Sequence, residues 1–241
     1  MTITDATQLG TILGVFAHPD DEAYLAGGIM SAAVENGQRV VCVTATKGEA
    51  GVTDPARWDP ARLGEIREQE CKASMAILGV DEHHWLDFAD GACAEVGLEE
   101  AMACLMPIVE EVRPDTVLSF GPEGMTGHPD HMATCRWATE AVARAGGGAR
   151  LYYATMTHQW LEDFMDRMNP DRVMMVEGMQ PPAVDPSDLA IHIRLEGEAL
   201  DRKVAALRAQ ASQLEPLIEE WGLDFLRESQ AQEMYVPAPS A

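Results

Sequence analysis

Four short runs of this 241-residue chain are apolar nearly throughout: Thr11–Ala17, Arg39–Ala45, Asp115–Phe120 and Arg150–Met156. A strand with one wet face alternates apolar and polar residues. Runs that do not alternate belong to strands covered on both faces, as in a parallel sheet. Helical stretches lie between and after them, at Glu22–Glu35, Ala61–Leu78, Leu98–Val112 and Asp130–Ala145, and Gly79 and Pro114 stand where helix stops belong. This β-α-β-α order predicts a single Rossmann-like α/β domain with a mostly parallel, doubly wound sheet flanked by helices. In such sheets ligands bind at the carboxyl ends of the strands, so residues just after strands carry the functional expectation.

Past residue 157 the pattern loosens into a smaller, irregular C-terminal part of the same domain (residues 1–156 core, 157–241 extension). Asn169–Asp188 reads as an irregular loop, Leu189–Leu195 as an edge strand, Glu196–Leu214 as one amphipathic helix, and the final VPAPSA as a tail. With 40 acidic and 17 basic residues the net charge is −23, which argues against nucleic-acid and anionic-membrane partners, since both need a basic footprint. The five cysteines contain no C-x-x-C pair and read as reduced thiols, mostly in the core. No apolar run approaches the ~18 residues of a membrane span. A cytoplasmic protein is the expectation, and a homo-oligomer is compatible with the sequence.

The first apolar run empties into His18-Pro-Asp-Asp-Glu22, and the third is followed by His128-Pro-Asp-His131. The tripeptide His-Pro-Asp thus occurs twice, each time after a predicted strand and before a predicted helix, with Pro19 and Pro129 near the first helical turn. Both loops fall at the same sheet edge. Two histidines and one carboxylate with an open fourth position are the make-up of a catalytic zinc site, and a divalent cation removes the repulsion among neighbouring acids. The spacing allows His18 and Asp21 to chelate across a turn and His131 to join from the other loop. Asp20 and His128 are then left beside the ion, one able to take a proton from water and the other to face a developing oxyanion.

These paired motifs resemble the LmbE/PIG-L family of zinc-dependent de-N-acetylases, which act on N-acetylglucosamine-type conjugates. Further segments resemble the same family: TATKGEAG (Thr44–Gly51), IREQECKASMAILGV (Ile66–Val80), WLDFADG (Trp85–Gly91) and KVAALRAQASQ (Lys203–Gln213). The resemblance implies His18, Asp21 and His131 as zinc ligands, with iron(II) or cobalt(II) also suiting them. It implies Asp20 as general base, and His128 as the group that stabilises the tetrahedral intermediate or protonates the leaving amine. Glu49, Arg67 and Asp90 fall where family members shape the sugar pocket. The implied substrate is a small N-acetylated amino-sugar conjugate. One departure is visible: Gln210 stands where many members have histidine before Ser-Gln.

Other residues read as structural. Asp130 is a first-turn acid of its helix, and Glu22 is either a helix-dipole partner or a support for a ligand. Trp58 and Trp160 pack locally, the fourteen methionines fill core gaps, and Gly27–Gly28 allows close helix–sheet packing. Two rival functions share the same residues: a metal-dependent phosphoesterase, and a non-catalytic sugar-binding protein of the same fold.

Overall fold

The computed structural model describes residues 1–146, 148–168, 173–176 and 178–239. Strands β1 (Ile12–Phe16), β2 (Val40–Thr46), β3 (Glu82–Phe88), β4 (Thr116–Ser119) and β5 (Arg150–Ala154) pair in parallel. Every residue of β1, β2 and β4 is buried, as their unbroken apolar character requires. A two-residue pair, β6 (Met156–Thr157) with β7 (Ala183–Val184), stands apart. Strands β8 (Ile191–Arg194) and β9 (Gln232–Pro237) complete the main sheet antiparallel, in the order β3-β2-β1-β4-β5-β9-β8.

The order reverses direction between β1 and β4. After β1 the chain crosses to β2 and β3 on one side, then returns to β4 on the other. This is a topological switch point, and it opens a crevice outside the carboxyl ends of β1 and β4. The two His-Pro-Asp loops leave the sheet there.

The helices are α1 (Asp21–Glu35), α2 (Leu63–Leu78), α3 (Leu98–Val112), the short α4 (Gly124–Gly127), α5 (Pro129–Arg144), α6 (His158–Met168), α7 (Gly197–Ala209), α8 (Ala211–Trp221) and α9 (Leu223–Ser229). Helices α1, α2 and α7 pack together on one face of the sheet, and α3 and α5 on the other. One continuous apolar cluster runs from Ala6 through β1, β2 and α5 to Tyr235, so the C-terminal elements share the main core. Gly28 marks a close approach: a Cβ there would lie 2.4 Å from Leu195 Cδ1, just beyond β8.

Four expectations shift. The run Arg150–Met156 divides into β5 and the start of β6: Thr155 N still donates to Met234 O of β9, whereas Met156 N donates to Pro182 O and pairs with β7 instead. Glu196–Leu214 is two helices, broken at Gln210 (φ −93°, ψ 53°), where the side chain is drawn inward. The expected tail is in part a strand. Val236 and Pro237 belong to β9, which lies between β5 and the edge strand β8, and Ala238 N donates to Leu151 O. Ser240 and Ala241 lie outside the described residues. Of the loop Asn169–Asp188, residues 169–172 and 177 also lie outside them. Its described residues include β7 and one turn of 3₁₀ helix at Pro186–Asp188.

Candidate active site

His18, two residues beyond β1, is buried, and its ring is held at both nitrogens. Nε2 faces two carboxylates, Asp90 Oδ1 at 3.1 Å and Asp130 Oδ2 at 3.3 Å. Nδ1 faces His131 Nε2 at 3.1 Å and Asp21 Oδ2 at 3.6 Å. His131, on the first turn of α5, has its Nδ1 2.9 Å from the Gly124 carbonyl and its Nε2 3.4 Å from Asp21 Oδ1. Partners fix imidazole tautomers. The carboxylates call for a proton on His18 Nε2, and the carbonyl calls for one on His131 Nδ1. The remaining nitrogen of each ring then turns its lone pair toward the other and toward Asp21.

Three electron-rich groups therefore meet at separations of 3.1, 3.4 and 3.6 Å. Ligands at about 2.0–2.1 Å from a tetrahedral zinc ion stand about 3.3–3.4 Å apart; the two imidazole nitrogens are near that spacing, and Asp21 offers Oδ1 to His131 and Oδ2 to His18. His128 brings a third imidazole. Its ring nitrogen lies within 4.8 Å of those of His18 and His131, and its ring centroid lies 4.6 Å from that of His18. Its Nδ1 accepts from Asp130 N at 3.1 Å, which leaves Nε2 as its free nitrogen.

The electrostatics follow from burial among opposed charges. Burial pushes the Asp20 carboxyl up to about 7 against the pull of the Arg67 guanidinium. Burial also opposes ionisation of Asp21, but the imidazoles of His131 and His18 outweigh it and hold that carboxyl below its ordinary range. Burial lowers His131 to about 4, so it is neutral and able to donate a lone pair. For His18, burial alone would lower the pKa. Hydrogen bonds that the ring donates to Asp130, Asp21 and Asp90 raise it well above its ordinary range, so a proton competes with a cation for this ring.

Asp20 sits at φ 109°, a left-handed conformation that a non-glycine residue adopts at a cost of roughly 1–3 kcal/mol. The loop is clamped to hold it. Asp20 N donates to Glu22 Oε2 at 3.0 Å, and Arg67 donates to Pro19 O at 2.5 Å and reaches Asp20 Oδ2 at 3.3 Å. The same guanidinium donates to Gly48 O at 2.8 Å, tying the β2 loop to the β1 loop. Arg67 thus fixes both the backbone and the carboxylate of Asp20, the neighbour of Asp21 in the loop.

All of His18, Asp20, Asp21, His128 and His131 converge. Each residue expected to shape the sugar pocket has protein partners. Arg67 is only 4% exposed and turned inward to the two loops. Asp90 holds His18 Nε2 and accepts from Ala50 N at 2.8 Å, and Glu49 Oε1 accepts from Asp90 N at 3.0 Å.

The structural reading of Asp130 is corrected. Its side chain is 0% exposed, and besides meeting His18 it accepts from Gly91 N at 2.7 Å and Cys93 N at 3.1 Å. A first-turn acid needs no such burial. The signal was present in the sequence: Asp130 is the aspartate of the second His-Pro-Asp and repeats the place of Asp20. Glu22 is 0% exposed, accepts from Asp20 N at 3.0 Å and is joined to Gln210 Nε2 at 2.6 Å, so it braces the loop that carries Asp20 and Asp21. Trp160 packs locally, donating from Nε1 to Ser229 O at 3.0 Å.

Residues 13–142 match the family described as PIG-L: GlcNAc-PI de-N-acetylase. The 1D-myo-inositol 2-acetamido-2-deoxy-alpha-D-glucopyranoside deacetylase of Mycobacterium sp. (strain KMS) is 32% identical over 227 residues, spanning 84% of this chain and 74% of that protein. Among solved structures, N,N'-diacetylchitobiose deacetylase from Pyrococcus horikoshii superposes with a TM-score of 0.65 at 23% identity, over 97% of this chain and 85% of that one. The 4-carboxy-2-hydroxymuconate hydratase from Pseudomonas putida KT2440 superposes with a TM-score of 0.61 at 18% identity, over 97% and 98% of the two chains. The fold alone therefore hosts more than one reaction. Among the described residues no helix is long and apolar enough to cross a membrane. The match over residues 13–142, together with relatives above 30% identity across most of the chain, places this protein in the PIG-L family.

Proposed function

We propose that the chain is a zinc-dependent hydrolase that removes the acetyl group from an N-acetylated amino-sugar conjugate, giving free amine and acetate. One observation carries this reading: two imidazole lone pairs and a carboxylate converge within 3.6 Å, with an ionisable carboxylate and a third imidazole beside them. His18, Asp21 and His131 hold the ion; iron(II) or cobalt(II) suit the same donors. When bound, zinc polarises the acetamide carbonyl and acidifies water towards pKa ~7.

The remaining steps belong to side chains of this chain. Asp20 takes the proton from the attacking water, a role that suits a carboxyl pushed to about 7 by burial. His128, with Nε2 free, donates to the oxyanion that develops on the acetyl carbon or to the departing nitrogen. Asp90 and Asp130 orient His18 through Nε2. Arg67 fixes the strained backbone at Asp20. Glu49, at the rim, is the residue of its group left to meet a sugar hydroxyl.

A phosphoesterase would need a cation open to its substrate. Arg67, the guanidinium that touches Asp20, is committed to carbonyls of the two loops. The substrate class rests on the relatives, whose names specify deacetylation of 2-acetamido-2-deoxy sugars.

The test is acetate and amine release from a panel of N-acetylglucosamine conjugates, including an inositol glycoside and N,N'-diacetylchitobiose. Wild type is expected to release both products in equal amounts, and Asp20→Asn to lose at least about 10²-fold in kcat. Release at wild-type rate by Asp20→Asn refutes the assignment of the base, and no release from any conjugate refutes the substrate class.

A further inference from the structure

In an uninterrupted α-helix the amides of Gly28 and Ile29 pair with the carbonyls of Tyr24 and Leu25, four residues back. In α1 all four groups have side-chain partners from the C-terminal elements. Glu233 on β9 accepts from Gly28 N and from Ile29 N, each at 2.7 Å. Lys203 on α7 donates to the Tyr24 carbonyl at 2.8 Å, and the Tyr235 hydroxyl on β9 donates to the Leu25 carbonyl at 3.0 Å. Lys203 and Glu233 also pair at 2.8 Å, with both side chains 0% exposed. A buried ion pair stabilises only when its remaining donors and acceptors are satisfied, and here the helix backbone satisfies them.

The turn on the N-terminal side is Asp20–Tyr24, which carries Asp20 and Asp21. Its carbonyl end is held from outside the helix as well, by Lys203 of α7 on Tyr24 O and Tyr235 of β9 on Leu25 O. A second tie comes from the same helix. Gln210, the C-cap of α7, donates to Glu22 Oε1 at 2.6 Å. Lys203 and Gln210 are seven residues, or two turns, apart, so one face of α7 grips the turn at two points. None of Lys203, Glu233 and Tyr235 has a contact with His18, His128 or His131 among the described interactions.

We propose that Lys203, Glu233 and Tyr235 are positioning residues for the metal centre: the turn bearing Asp20 and Asp21 is set against His18 and His131 by α7 and β9. This rests on the metal-binding reading above. It assigns to the C-terminal elements, which lie beyond the family match at residues 13–142, a part in tuning the ion site.

The experiment compares wild type, Lys203→Met/Glu233→Gln, Tyr235→Phe, and Leu105→Ala, a fully buried residue of α3 on the opposite face. Zinc affinity is measured by competition with a chelator, the cobalt(II) d–d spectrum of each chain is recorded, and thermal unfolding is followed without metal. The double variant keeps the shape of the buried pair and removes the donor to Tyr24 O. It is expected to bind zinc about tenfold more weakly or worse and to show a shifted cobalt band. Tyr235→Phe keeps the ring, loses one hydrogen bond, and is expected to weaken zinc about threefold. Leu105→Ala is expected to unfold at lower temperature with affinity and spectrum unchanged. Wild-type affinity and spectrum in both Lys203→Met/Glu233→Gln and Tyr235→Phe, with stability alone reduced, overturns the proposal. If the double variant does not fold, Tyr235→Phe decides. A wild-type chain that binds no ion overturns the metal reading itself, and with it this one.

Discussion

Replacing Asp130 by asparagine changes one atom and sets three interactions in conflict. The carboxylate accepts from two backbone amides, Gly91 N and Cys93 N, and meets His18 Nε2. An asparagine offers one acceptor and one donor group, so its NH₂ must face either an amide hydrogen or the imidazole N–H. Leaving one buried donor unsatisfied costs about 1–3 kcal/mol. For a chain of this size that lowers the unfolding temperature by roughly 2–12 °C. The effect on the metal is separate. A carboxylate that orients a ligating histidine typically contributes 10–100-fold in affinity. Asp90 lies 3.1 Å from the same nitrogen and partly compensates, so the lower end, about tenfold, is expected. The assay is zinc competition with a chelator beside calorimetric unfolding, with Asp90→Asn as the companion variant. The reasoning is refuted if Asp130→Asn unfolds earlier yet binds zinc as wild type does. Asp130 would then be only a staple between α5 and the turn after β3.

Two predictions lie away from the ion. Gly28→Ala brings a Cβ within 2.4 Å of Leu195 Cδ1 and is expected to cost about 1–3 kcal/mol, and Leu195→Ala should relieve part of it in a double-mutant cycle; simple additivity in urea unfolding refutes the clash. Burial lowers the His83 pKa to about 4, so between about pH 6.5 and 4 the unfolded state binds the extra proton and stability falls with falling pH. His83→Gln should flatten the stability profile in that window, and an unchanged slope refutes the assignment.

The fold was legible where one signal dominated. Strands β1, β2 and β4 are buried on both faces, and their polar residues, Thr44, Thr46, Thr116 and Ser119, are small hydroxyls that leave the apolar run readable. Helix α3 runs Leu98–Val112, the bounds that its periodicity and Pro114 predict. The convergence of the two loops was legible too, because parallel topology puts the residues after β1 and β4 at one sheet edge. What stayed hidden depended on distant partners. Strand β9 carries Glu233, a fully buried acid that is tolerable only beside Lys203 and the α1 amides, none of which is near in sequence. The break between α7 and α8 lies at a residue whose side chain is claimed by Glu22, 188 positions away, while the apolar period runs on through it. Asp130 looked like a helix-start acid because it is one, and its second task appears only once β1 and the turn after β3 are in place.

Metal content decides the matter at the centre. Wild type, Asp20→Asn and His131→Ala are purified without chelator, given zinc, desalted, and assayed for metal per chain by atomic emission, with folding checked by circular dichroism. About one ion per chain is expected in wild type and in Asp20→Asn, because Asp20 stands beside the ion without holding it. His131→Ala is expected to fold and to retain less than about a tenth of the wild-type content. A folded wild type without metal, or a His131→Ala chain that binds zinc as wild type does, contradicts the convergence of the two His-Pro-Asp loops on a cation.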